Sequence, residues 1–226
     1  MIDARAIGHA TFETPDIERA IEYYTQILGL HVADRGPKRA VLVTHIGREA
    51  VVLEAAGAAR CASISLQVAP GTELGDVAKV LSASEGIASE RRSGVTPGIA
   101  EVLSFTDPNG VKVELYTEGK PSRARDTAAI GPLKLGHIAF CTGDVKKLTE
   151  FYCRVLGFRV SDWMEDFFCF LRCGPDHHTV NFATAKAPKL HHVAFELKDW
   201  AHMQNACEVL GRKNLQILWG WCTVRS

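Results

Sequence analysis

Three histidines in the second half of the chain have the types and spacing to do chemistry together. His137 sits in the alternating run Gly136-His137-Ile138-Ala139-Phe140-Cys141, which reads as a strand. With a period of two, its side chain shares a face with Ala139 and Cys141, small neighbours that leave room for a ligand. His192 sits in a second such run, Leu190-His191-His192-Val193-Ala194-Phe195, with Ala194 on its face. Alternation sends His191 the other way, with Val193, Phe195 and Leu197. A lone strand histidine is more often a polar group satisfied by its surroundings. Two imidazoles at equivalent positions of paired units can instead face one metal ion between them. Imidazole suits iron, zinc, copper and nickel, and two histidines plus a carboxylate with open positions suit non-haem Fe(II). His178, in Asp176-His177-His178-Thr179-Val180-Asn181-Phe182, is expected on a neighbouring strand near the same cup. Its near-neutral titration suits acid–base work there.

These residues belong to a repeat. Gly8-His9-Ala10-Thr11-Phe12, Asp16, Tyr24, Leu28-Gly29 and Val32 recur as Gly136-His137-Ile138-Ala139-Phe140, Asp144, Tyr152, Leu156-Gly157 and Val160. Every pair keeps one offset (137 − 9 = 128), so two homologous domains follow in tandem. His192 aligns with Ser63 (192 − 63 = 129), so the first domain keeps His9 and Glu114 but has a serine in place of the second histidine. A hydroxyl is a poor substitute for imidazole, and no tight metal site is expected there.

The elements that must position these residues follow from periodicity. Residues 5–12 read as a strand, and Asp16 opens a helix with Ile17, Ala20, Ile21, Tyr24, Ile27 and Leu28 at helical spacing. Strand-like runs 30–33, 39–45 and 49–54 complete a β-α-β-β-β unit. A weaker unit follows, with a strand at 63–68, a helix at 73–84 and a hairpin of 101–105 with 111–116 about the turn Asp107-Pro108-Asn109-Gly110. A polar, Pro- and Gly-marked stretch separates domain 1–119 from domain 134–226, leaving 120–133 as linker. The third unit starts at Leu135, with Val145, Leu148, Phe151, Tyr152 and Val155 on one helix face. The fourth starts near Leu190, with a helix over 200–210. Fifty-one residues separate Ser63 from Glu114, and the same step from His192 lands near position 243. The closing hairpin of the fourth unit is therefore expected to be missing, through a premature stop, a frameshift or a natural truncation.

Composition narrows the class. The 226 residues carry 26 basic and 26 acidic side chains with no basic block, which argues against nucleic-acid binding. No signal peptide and no apolar run of about 18 residues appears, so no membrane partner is expected. Cysteines 61, 141, 153, 169, 173, 207 and 222 are odd in number and form no Cys-x-x-Cys pair, which suits a reduced, cytoplasmic protein.

The duplicated Gly-His-x-x-Phe…Asp…Tyr…Leu-Gly pattern resembles the vicinal oxygen chelate superfamily (glyoxalase, bleomycin resistance, dioxygenase). His177-His178-Thr179-Val180-Asn181-Phe182 followed by Lys189-Leu190-His191-His192-Val193-Ala194-Phe195 resembles the two-domain type I extradiol, catechol 2,3-type, dioxygenases. The resemblance runs from about residue 5 to about 219. It implies an α+β fold of tandem βαβββ modules, two per domain. Each domain is then an open curved mixed sheet with helices outside, the fourth module incomplete here. It further implies Fe(II) held by His137 and His192, with His178 as the acid–base group. The expected reactants are a catechol-type substrate and O2, and members often form homo-oligomers. In the family a glutamate ligand, a further histidine and a tyrosine come from the last hairpin. This sequence instead continues Leu218-Trp219-Gly220-Trp221-Cys222-Thr223-Val224-Arg225-Ser226. Ring cleavage is therefore expected to be impaired, with Glu196, Glu165 and Asp166 as poor stand-ins for the carboxylate. A glyoxalase-like isomerase and a metal-free, bleomycin-resistance-like binder are the alternatives.

Overall fold

A computed structural model describes residues 2–218, and three of its four helices begin at an aspartate. Asp16 caps α1 (Ile17–Gln26) by accepting from Arg19 N, and Asp144 caps α3 (Val145–Leu156) by accepting from Lys147 N. Asp199 does the same for α4 (Trp200–Arg212) at His202 N. Each carboxylate satisfies one of the amides that a helix start leaves without a partner. The repeated Leu-Gly dipeptide stops the first helix of each domain. Gly29 and Gly157 have φ of 76° and 75°, a left-handed turn that a side chain would strain.

The first module is β1 (Ala4–Thr14), α1, β2 (His31–Arg35), β3 (Arg39–Val43) and β4 (Glu49–Ala55). The second is β5 (Arg60–Val68), α2 (Leu74–Glu85), β6 (Ser89–Thr96), β7 (Ile99–Thr106) and β8 (Lys112–Tyr116). Together they build one eight-stranded sheet in the order β2-β3-β4-β1-β5-β8-β7-β6. The third module repeats the first as β9 (Lys134–Thr142), α3, β10 (Arg159–Met164), β11 (Phe168–Arg172) and β12 (Val180–Thr184). With β13 (Lys189–Glu196) it forms a five-stranded sheet, β10-β11-β12-β9-β13. Pairs β1–β4, β5–β8 and β9–β12 are parallel, and the other ladders are antiparallel. The fold is the α+β arrangement of curved mixed sheets that the repeat implied. Trp219–Ser226, on which the altered ending was read, lies outside the described residues.

One strand escapes a reading by pattern. β6, Ser89-Glu90-Arg91-Arg92-Ser93-Gly94-Val95-Thr96, has no alternation and a single apolar side chain, Val95, and it is an edge strand. Charged side chains are what edges carry to discourage further pairing.

Ile7, Leu53, Ile64, Leu103 and Leu115 of the first sheet share one continuous buried cluster with Leu135, Phe140, Tyr152 and Phe182 of the second. The turn after β7 reaches across this seam. Asp107, buried, accepts hydrogen bonds from Asn109 N, Val111 N and the Tyr152 hydroxyl, the last at 3.0 Å. Asn109 Nδ2 donates to the Cys141 carbonyl at 3.1 Å. The stretch 120–133 lies along the first domain, with Ser122 N donating to Gly47 O and Arg125 N to His45 O, both at 2.8 Å.

Removing the Tyr152 hydroxyl leaves a buried carboxylate oxygen without that donor. Tyr152→Phe is expected to lower unfolding free energy by about 1–3 kcal/mol in urea denaturation. Tyr24→Phe is the control, since the Tyr24 hydroxyl makes no hydrogen bond among the described residues, and it should cost clearly less.

Candidate metal and active site

The strand that carries His137 is irregular where chemistry is expected. Along β9 and β13, Ala194 pairs with His137 and Phe195 with Leu135, so Gly136 is an extra, bulged residue. The first domain has the same device: β1 slips one residue against β5 between Ile7 and Ala10, at Gly8-His9. Bulges bend a strand and re-aim the neighbouring side chain. The repeated Gly-His dipeptide is therefore a bulge that turns a histidine into each domain's cup.

A second bulge is also repeated. Leu190 pairs with Phe140 and His192 with Ala139, which leaves His191 extra. Cys61 pairs with Phe12 and Ser63 with Thr11, which leaves Ala62 extra. This corrects the alternation expected for His191. The bulge breaks the period of two, and His191 Nδ1 lies 2.7 Å from His192 Nδ1 instead of on the far face.

His137 and His192 come together. Their Nε2 atoms are 2.9 Å apart, with the rings edge to face at 5.1 Å. Metal–imidazole bonds of about 2.0–2.1 Å meeting near a right angle span about this nitrogen separation. The pair thus fits two adjacent positions of one metal ion. His178 joins them: its ring centroid is 4.3 Å from that of His137. It does not lie on a strand as expected, but in the loop that enters β12 at Val180. Its Nδ1 is 2.9 Å from His177 Nδ1, which leaves Nε2 as its free nitrogen.

The three imidazoles are held neutral. Burial pushes His137 down from 6.5 to about 4, helped by repulsion from His178 and His192. Burial likewise lowers His178, with repulsion from His177 and His192, and lowers His192, with repulsion from His191. A neutral imidazole is the form that ligates a metal.

The carboxylates considered as a third donor are placed elsewhere. Glu196 and Asp176 both bind Lys134 Nζ, at 2.9 and 2.8 Å, and Asp166 pairs with Lys146 at 3.3 Å. Glu165 occupies a left-handed turn between β10 and β11, with φ of 48°. Among the described residues no group of three or more His, Cys, Asp or Glu side chains is arranged to hold a metal ion.

In the first domain, His9 is buried, with Nδ1 3.1 Å from Glu49 and Nε2 3.9 Å from Glu114. Arg92 Nη2 binds Glu114 at 2.9 Å. Neither Glu49, as the partner of His9, nor Arg92, as a cup residue, was legible in the sequence. Arg92 lies on the edge strand that periodicity missed, and Glu49 opens a strand on the far side of β1.

The Glyoxalase/Bleomycin resistance protein/Dioxygenase superfamily model matches residues 6–115 and 134–220, and the chain belongs to this superfamily. Its curated relatives include dioxygenases by name. It is 28% identical over 245 residues to 2,2',3-trihydroxybiphenyl dioxygenase of Sphingomonas paucimobilis, covering 96% of this chain and 80% of the relative. It is 27% identical over 226 residues to biphenyl-2,3-diol 1,2-dioxygenase of Paraburkholderia xenovorans (strain LB400), covering 85% and 71%. The Mn(II)-bound glyoxalase of Novosphingobium aromaticivorans superposes with a TM-score of 0.87 at 26% identity, over 97% of this chain and 74% of that one.

A depressed histidine pKa has a defined stability sign. Between pH 6.5 and about 4 the unfolded chain binds protons at His137 that the folded, metal-free chain refuses. Stability is therefore full above the unfolded value and falls as pH drops through this window. The urea midpoint of metal-free protein is expected to fall from about pH 7 to about pH 5. His137→Asn should make that slope shallower, and an unchanged slope would refute the assignment.

Proposed function

We propose that this chain is an extradiol ring-cleavage dioxygenase of catechol-type aromatics, with Fe(II) as its metal and O2 as second substrate. The observation that carries the reading is the His137–His192 pair, with Nε2 atoms 2.9 Å apart and the His178 ring alongside. His137 and His192 would hold the metal, and the dioxygenase relatives support the kind of reaction. When bound, Fe(II) acidifies a coordinated diol and brings the two reactants together. His178 Nε2 takes a proton from a substrate hydroxyl, and the resulting imidazolium stabilises negative charge beside it. The low pKa of His178 keeps it unprotonated and ready to accept. In the overall reaction one ring carbon–carbon bond beside the diol breaks. Both oxygen atoms enter the product, a muconic semialdehyde.

Two neutral protein donors hold a divalent ion less firmly than a set with a carboxylate, because no ligand charge offsets that of the metal. With these two imidazoles as the donors among the described residues, weak metal retention and impaired turnover are part of the proposal. The Mn(II)-bound glyoxalase likeness supports a second reading, a glyoxalase-like isomerase. In that reading His178 has no assigned role.

Anaerobic loading with Fe(II) or Mn(II), then air and 2,3-dihydroxybiphenyl or catechol, separates the two. The expected result is a yellow ring-cleavage product formed with excess Fe(II), lost in His192→Ala. His178→Gln should lower kcat by about 100- to 10,000-fold while metal binding persists. Isomerisation of a hemithioacetal without any yellow product would favour the second reading.

A further inference from the structure

The cup of the first domain occupies the place in its sheet that the histidine pair occupies in the second, yet it is built from different chemistry. We propose that it binds a small monocarboxylate. It holds an open cavity of about 310 Å³ whose lining includes His9, Thr11, Ser63, Arg92, Lys112 and Glu114, with the Arg60–Glu13 and Arg39–Glu54 pairs on its wall. That volume is at the lower end for small-molecule sites.

Hydrogen-bond donors converge on it. Thr11 pairs with Ser63 across β1 and β5, and Ser63 with Lys112 across β5 and β8. Directly opposed residues share a face, so two hydroxyls and an ammonium form one row. Thr11 and Ser63 are more than nine-tenths buried. Lys112 has no carboxylate within ion-pair distance among the described residues, whereas the nearby cations are matched. Arg60 pairs with Glu13, Arg39 with Glu54 and Arg92 with Glu114. Arg92 Nε is buried without a hydrogen-bond partner, since Glu90 approaches only to 3.8 Å.

An unsatisfied buried donor, one unpaired cation and two hydroxyls together ask for an acceptor with one negative charge. A carboxylate meets that need. Glu114 is already bound to Arg92, whose guanidinium is a fixed cation inside the cup, and Glu49 lies behind His9 and lines a different cavity. The inference does not depend on the ring-cleavage reading.

The test is an amide-detected NMR titration of the full chain with glycolate, with potassium chloride at matched ionic strength as the salt control. Saturable shifts confined to β1, β5, β6 and β8, the strands that carry the cup's donors, are expected with glycolate only. Lys112→Met should weaken binding by about tenfold or more, the loss of one charge-assisted contact. Lys189→Met, outside the cup, should leave it unchanged. If Lys112→Met fails to fold, Ser63→Ala replaces it, with weakened binding again expected. Equal shifts with chloride, no saturation, or full affinity in the cup variant would overturn the proposal.

Discussion

The antiparallel ladder between β9 and β13 is the constraint on which the candidate active site rests. His137 and His192 sit diagonally across it, and only the register that pairs Ala194 with His137 and Ala139 with His192 brings their Nε2 atoms together. A slip of one residue would send one imidazole to the other face. Two bulges hold that register, at Gly136 and at His191, and each is the kind of local irregularity that re-aims a side chain. The cluster of Leu135, Ile138, Phe140 and Val193 behind the ladder supplies the burial that keeps the strands in place.

The two domains share this device and diverge in what they mount on it. Both carry a Gly-His bulge on the first strand and an extra residue on the facing strand. In the second domain the facing residue is His192, and three neutral imidazoles gather. In the first it is Ser63; Glu49 and Glu114 flank His9, and Arg92 binds Glu114. One scaffold therefore presents an uncharged imidazole site and a charged oxygen-and-cation site. The domains are joined through a shared core and the buried Asp107–Tyr152 bond, so neither cup is independent of the other domain's packing.

Much of the scaffold was legible in the sequence because its signals are local. Asp16 at a helix start, the repeated Leu-Gly and alternating apolar residues each act within a few positions. The repeat then matched His137 to His9 and His192 to Ser63, at offsets of 128 and 129. β6 was not legible, since a mostly exposed edge strand has no continuous buried face to imprint a period. Nor were the bulges, which depend on how two strands distant in sequence count against each other.

By itself, then, the sequence determined the order of elements, the duplication and the identity of the histidines worth considering. Those follow from propensity, capping and spacing, which need no partner strand. The tertiary structure decided that His191 turns back toward His192, that the His178 ring meets His137 from a loop, and that Arg92 fills the first cup beside Glu114. Each of these is a contact between segments whose register is chosen by core packing, and no local pattern records that choice.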